Sequence, residues 1–147
     1  MSEKLSKNEY QNLANSKSPK SKLLKNSIKA FFIGGGICTI GQCFLSFYKY
    51  IGLSEKISST LTSISMILIG VLLTGFGIYP KIAKHGGAGT LVPITGFSNA
   101  VSAPAIEAKT EGYVLGVGAK IFTIAGPVIL YGTLASFVAG IIYLFIL

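Results

Sequence analysis

The sequence predicts an all-α integral membrane protein with about three full transmembrane helices and a broken, re-entrant or half-helix segment between the second and last spans. Half of the 147 residues are hydrophobic and 12% are charged, against about 25% charged residues in a typical soluble domain. The apolar residues fall in runs long enough to cross a membrane, whereas prolines and glycines interrupt residues 86–124. A soluble fold would need several fully buried helices in a small domain, and we set that alternative aside.

A polar, basic tail at residues 1–26 precedes a membrane domain at residues 27–147. The tail is rich in Ser, Asn and Lys, so it lacks the apolar surface that would offset the entropy of ordering, and we expect it to be disordered. The chain has 13 lysines and no arginine, and seven of the lysines lie in the first 29 positions. Nucleic acid could attract such a tail, but a juxtamembrane segment next to anionic lipid explains it better. We expect no nucleic-acid partner.

Three apolar runs predict the full spans, because about 20 helical residues cross the hydrocarbon core. The runs lie near residues 28–48, 60–79 and 126–147. Lysines of the tail and of residues 81–85 flank the outer ends of the first two spans, and the loop between these spans contains Glu55. The positive-inside rule therefore predicts a cytoplasmic N-terminus, with residues 81–85 on the same side.

Small and polar residues inside the spans predict helix packing. Glycines let helix backbones approach closely in lipid, and a lone amide in a span should face protein rather than lipid. The two cysteines, Cys38 and Cys43, lie on different faces of the first span, so we interpret them as packing residues rather than a disulfide. The residues predicted to contact other helices are Gly34, Gly41, Gln42, Gly132, Ser136 and Gly140.

The last apolar stretch, residues 113–147, is too long for one ordinary span and too short for two. We expect Lys120, Gly126 and Pro127 to divide it into a shorter helical piece at residues 113–124 and a full span at residues 126–147. Lys120 lies in the shorter piece, where it either snorkels to an interface or places positive charge on a path.

The interrupted segment is too apolar for an ordinary loop and too rich in helix breakers for an ordinary span. Pro93 and Pro104 each remove an amide donor and disfavour helix at the preceding residue. We expect a flexible glycine turn, an extended piece near residues 90–96, a short helix near residues 97–103, a break at Pro104 and another helix from about residue 105.

Unpaired backbone is tolerated at membrane depth only when it is buried in protein or lines a watery cavity, and the start of a broken helix favours anions. The segment is therefore interpreted as an element that lines a permeation path. The alternative is an interfacial loop with a short amphipathic helix on the membrane surface. The residues predicted to lie on the path are Gly87, Gly89, Pro93, Thr95, Ser98, Asn99, Pro104, Glu107 and Lys120.

Composition argues against an enzyme. The chain has one His and two Cys, both within a span, and no Asp, so neither a catalytic triad nor a metal cluster can be assembled from its residues. The glycine runs also lack the phosphate-loop motif. We expect no catalytic residue, no bound metal and no cofactor.

Three stretches carry a family resemblance: "ICTIGQ" (37–42), "LLTGFGIYPKI" (72–82) and "GAGTLVPITGFSNAVSAPAIEAKTEGYVLGVGAKIF" (87–122). They resemble the SpoVA family of sporulation proteins, from about residue 28 to the C-terminus. The resemblance implies an oligomeric, tension-gated channel in the forespore and spore inner membrane. Its cargo would be dipicolinic acid with calcium, moved during sporulation and germination, and its partners other membrane and peripheral subunits of the family. A non-conducting scaffold subunit is the alternative.

The implied cargo suits the broken segment. Dipicolinate is an aromatic dianion, and the free amides of a helix start suit its carboxylates. Glu107 could meet the calcium that accompanies it, or could simply end a solvated helix.

Overall fold

The computed structural model describes residues 7–17 and 22–146, and all regular structure in this part of the chain is helical. A 3₁₀ turn and a π-helical segment join the last two α-helices, and the π-helical segment continues directly into the final helix. The elements are α1 (Lys7–Lys17), α2 (Leu23–Tyr50), α3 (Glu55–Gly75), α4 (Tyr79–Gly86), α5 (Ala88–Leu91), α6 (Ile94–Glu107), the 3₁₀ turn (Ala108–Glu111), the π-helical segment (Tyr113–Gly118) and α7 (Ala119–Ile146).

Within the described residues, three helices are long and apolar enough to cross a membrane, and they confirm the predicted fold class. They are α2, α3 and the continuous helix Tyr113–Ile146. The second span begins and ends a few residues earlier than predicted. Its end is set by Gly77, whose φ of 67° turns the chain after Phe76, because that backbone region favours glycine.

The tail contains helix α1 where disorder was expected. Glu9 in its first turn and Lys17 in its last turn are placed favourably for the helix dipole. Residues 1–6 and 18–21 lie outside the described residues, and for them disorder stays a prediction.

Two expected proline breaks are wrong. Pro104 lies inside α6 and Pro127 lies inside α7. Proline removes one intrahelical hydrogen bond, whereas a full break at membrane depth would leave several backbone groups without partners. Continuing the helix is therefore the less costly solution at both positions.

In the stretch near residues 90–96, where an extended piece was expected, a single residue is extended. Pro93 is extended, with φ −63° and ψ 158°, and it forms the N-cap of α6. Helix α5 ends at Leu91, immediately before it. The broken segment thus begins where α4 ends and contains two short helices, α5 and α6, separated by a tight turn at Pro93 and followed by the 3₁₀ turn and the π-helical segment.

The membrane domain is built on the hairpin of α2 and α3. At its closed end Lys49 Nζ lies 2.9 Å from Glu55 Oε1. Farther along the hairpin, Tyr48 Oη lies 2.7 Å from Ser65 Oγ in the middle of α3. Helices α4 and α5 fold back against the start of α2, and α6 packs along α3. Helix α7 contacts α6 near its own start and then continues alone, with residues 127–146 exposed.

The fold places Glu55 and Lys84 at opposite ends of the helix hairpin, since Lys84 lies beside the start of α2. We expect single cysteines at positions 55 and 84, introduced into a version without Cys38 and Cys43, to be labelled from opposite sides of the membrane. An impermeant maleimide added before and after permeabilisation measures this, with the cysteine-free version as control. Labelling of both positions from one side would contradict the topology.

Candidate functional site

The broken segment is fixed against α2 by a contact between glycines. A Cβ at Gly89 would collide with the carbonyl oxygen of Ala30, and a Cβ at Gly34 would lie 3.0 Å from the Gly89 carbonyl oxygen. Gly89 has no positive φ, whereas neighbouring Gly87 has φ 49°. Glycine is therefore required at position 89 for space and at position 87 for backbone conformation.

A second close contact joins α3 and α6. A Cβ at Gly70 would lie 3.2 Å from both the Ser98 Cβ and the Thr95 Cα. A Cβ at Gly96 would collide with the carbonyl oxygens of Thr90 and Leu91, where the chain turns from α5 into α6. These two glycines let α6 approach α3 and α5 at backbone distance.

Hydroxyl and amide groups line this contact and form what we call the polar cluster. Tyr79 Oη donates to the Thr90 carbonyl oxygen at 2.7 Å and lies 3.0 Å from Thr95 Oγ1. The Thr90 hydroxyl donates to the Gly87 carbonyl oxygen at 2.9 Å. Tyr79 therefore joins the start of α4 to α5 and to the first turn of α6. The polar cluster comprises Thr74, Tyr79, Thr90, Thr95, Ser98 and Asn99.

The other half of the polar cluster joins α6 to α3. Ser98 Oγ donates to the Ile67 carbonyl oxygen at 3.0 Å. Thr74 Oγ1 lies 2.9 Å from Asn99 Oδ1 and 2.7 Å from the carbonyl oxygen of Gly70. A span whose carbonyl oxygens receive side-chain donors is held in one register against its neighbour.

Five members of the polar cluster are buried and Asn99 is half-buried, and the hydrogen bonds described above are internal. Tyr79 and Thr95 are each 3% exposed, and in the described part of the chain no buried side-chain nitrogen or oxygen lacks a partner. Buried polar groups that are fully paired stabilise one arrangement strongly. In this state the polar cluster is therefore closed, and its groups would have to exchange partners to contact a solute.

The predicted path residues occupy three kinds of position. Thr95, Ser98 and Asn99 meet at the contact of α3 and α6, as part of the polar cluster. Gly89 and the prolines shape the backbone around them. Exposed Gly87 accepts the Thr90 hydroxyl at the edge of the cluster with its carbonyl oxygen. Glu107 and Lys120 lie exposed at the surface and make no contact with the cluster within the described chain.

The residues predicted to pack against other helices fall into two groups. Gly34 packs against Gly89, but a Cβ at Gly41, Gly132 or Gly140 would meet nothing within 4 Å. Exposed Gln42 Nε2 donates to Ser46 Oγ at 3.4 Å, and exposed Ser136 Oγ donates to the Gly132 carbonyl oxygen at 2.8 Å. We still predict that a further helix contacts Gly41, Gln42 and the face from Gly132 to Gly140. That helix would belong to another chain.

Sequence reasoning missed Tyr79, Thr74 and Gly70. Tyr79 is the last residue of the predicted second span (residues 60–79), and its ring is buried beneath α5 and the start of α6. Gly70 and Thr74 lie four residues apart on α3, and this small-xxx-small spacing was the signal that could have found them.

The comparisons with known proteins point to sporulation membrane proteins. A family model described as SpoVAC/SpoVAEB sporulation membrane protein matches residues 26–142. The chain is 43% identical over 137 residues to Stage V sporulation protein AC of Bacillus subtilis (strain 168). The aligned region covers 92% of this chain and 91% of that relative. No solved structure matches. With the family model covering almost all of the membrane domain and a relative this similar, the chain belongs to the SpoVAC/SpoVAEB family of sporulation membrane proteins.

Proposed function

We propose that this chain is a subunit of a channel that moves dipicolinic acid, with calcium, across the spore inner membrane, and that membrane tension opens it. Family membership supports a role in a sporulation membrane. The observation that carries the proposal further is the polar cluster, which places buried hydroxyl groups and the half-buried Asn99 amide inside a strongly apolar domain.

The length of α6 supports this proposal. Its 14 residues extend about 21 Å at 1.5 Å per residue, less than the hydrocarbon thickness of about 30 Å. A helix that does not cross the core alone, preceded by tight turns and held by glycine contacts, resembles the discontinuous helices from which transporters build substrate sites. Polar residues within membrane segments mark such paths.

The closed polar cluster suits a gated path. Because its hydrogen bonds are internal, a conducting state needs α6 to move relative to α3, or needs further subunits to complete the lining. Helix α7 offers a large exposed face for such subunits. Tension favours whichever state occupies more area in the membrane, so a separation of α6 from α3 would couple opening to tension.

Liposomes that contain the purified chain and trapped dipicolinate test the proposal. Release is followed by the luminescence of external terbium, which dipicolinate sensitises, before and after an osmotic downshift. We expect downshift-dependent release from the parent, an altered rate for Pro93→Ala because α6 would lose its defined start, and a weaker calcium dependence for Glu107→Gln because a carboxylate is lost at nearly constant volume. Lys56→Gln, at the closed end of the hairpin, is the control.

Absence of release from vesicles in which the inserted chain is correctly folded would contradict conduction by this chain alone. It would favour the non-conducting scaffold, and co-purification with other membrane subunits would then measure that role.

A further inference from the structure

A second polar feature lies away from the polar cluster, at the end of the domain where α2 begins. A cavity of about 270 Å³ separates the first turns of α2 from α4 and the turn that follows it. Asn26 and Ser27 contribute the α2 wall, and Lys84 and His85 contribute the α4 wall. Leu23 and Ala30 provide an apolar side.

The polar side chains that line this cavity make no hydrogen bonds to one another. In the part of the chain that the structure describes, the side chains of Asn26, Ser27 and Lys84 make no hydrogen bond or ion pair. His85 is the exception, since its Nδ1 lies 3.0 Å from the Lys81 carbonyl oxygen. That contact orients the ring, and because a carbonyl oxygen only accepts, Nδ1 carries the proton.

The charge around the cavity has one sign. None of the acidic residues in the described part of the chain lines it, and the sequence has no Asp. Lys25 and Lys29 follow on α2, close to the lining residues in sequence. Lys22, the N-cap of α2, makes no side-chain cap bond, so the first amides of this long helix add a further positive field. A cavity with hydroxyl, amide and ammonium donors and no carboxylate suits an anion with several acceptor oxygens.

The position of the cavity along α2 identifies the source of that anion. Helix α2 has 28 residues and extends about 42 Å, longer than a hydrocarbon core of about 30 Å. Its first turns therefore lie at the headgroup level, where the apolar side formed by Leu23 and Ala30 can contact acyl chains. We propose that this cavity binds the phosphate of an anionic phospholipid headgroup and thereby anchors α4 to the start of α2.

The experiment uses the full chain in detergent micelles, with dioctanoyl phosphatidylglycerol, dioctanoyl phosphatidylcholine and inorganic phosphate as separate probes. Binding is followed as the upward shift of the thermal unfolding midpoint with probe concentration. We expect saturable stabilisation by phosphatidylglycerol at concentrations where the other two probes have little effect. Lys84→Gln and Ser27→Ala should each weaken that binding, Lys84→Gln by about tenfold because it removes a charge-assisted hydrogen bond.

Lys56→Gln is the matched control, because it removes the same charge at the opposite end of α2 and α3. Lys84 and Ser27 make no side-chain hydrogen bond or ion pair in the described chain, so both variants should fold, and their unfolding midpoint without lipid checks this. Equal stabilisation by inorganic phosphate or by phosphatidylcholine would overturn the lipid assignment. So would unchanged phosphatidylglycerol binding in both variants, or an equal loss in Lys56→Gln. None of these outcomes depends on dipicolinate release.

Discussion

Replacing Gly89 with alanine is expected to destabilise the membrane domain more than the same substitution at a glycine with open space around its Cα. The added Cβ would collide with the carbonyl oxygen of Ala30, with the Ala30 Cα 2.9 Å away. Both groups belong to the backbone of α2, so no side chain can rotate aside, and α5 would have to separate from α2. Overpacking of this kind costs about 1–3 kcal/mol of the free energy of unfolding.

Unfolding by SDS titration in mixed micelles, followed by circular dichroism, measures the change. Gly36→Ala is the control, since Gly36 also lies on α2 and a Cβ there would meet nothing within 4 Å. Gly89→Val should be worse than Gly89→Ala, because the clash grows with the side chain. Equal stability of Gly89→Ala and Gly36→Ala would show that α5 does not lie against α2 at this distance.

Replacing Tyr79 with phenylalanine is expected to loosen the start of α6 while leaving the three long helices in place. The change removes one oxygen atom that contacts both the Thr90 carbonyl oxygen and the Thr95 hydroxyl. Both partners are then left buried with a hydrogen bond missing, and an unpaired buried polar group costs about 1–3 kcal/mol. The loss falls on α5 and α6, because α2 and α3 make no hydrogen bond to this side chain.

Hydrogen–deuterium exchange of peptides covering residues 88–100 measures the loosening, and peptides of α2 provide the internal reference. Tyr131→Phe is the matched control, because Tyr131 is 69% exposed and removal of its hydroxyl leaves no buried group behind. We expect faster exchange at residues 88–100 for Tyr79→Phe alone. Unchanged exchange there would mean that the polar cluster does not hold the segment closed.

The spans were predictable from the sequence because hydropathy and length are properties of a local window. The effects of Pro104 and Pro127 were not, since the penalty for ending a helix depends on what the surroundings offer the freed backbone groups. The same limit applies to the site. Thr95, Ser98 and Asn99 were identified as polar residues in an apolar segment, whereas their partners Tyr79 and Thr74 lie on other elements and became visible only with the tertiary contacts.

The continuous helix Tyr113–Ile146 has a consequence for the bilayer around it. The 28 α-helical residues of α7 alone extend about 42 Å, well beyond a hydrocarbon thickness of about 30 Å, and the π-helical segment adds to that length. Such hydrophobic mismatch is relieved by tilting the helix, by thickening the surrounding lipid or by extending one end past the interface. Because most of α7 has no neighbour within the chain, bilayer thickness acts on it directly, and a thinner membrane favours a more inclined α7 and a wider footprint for the subunit.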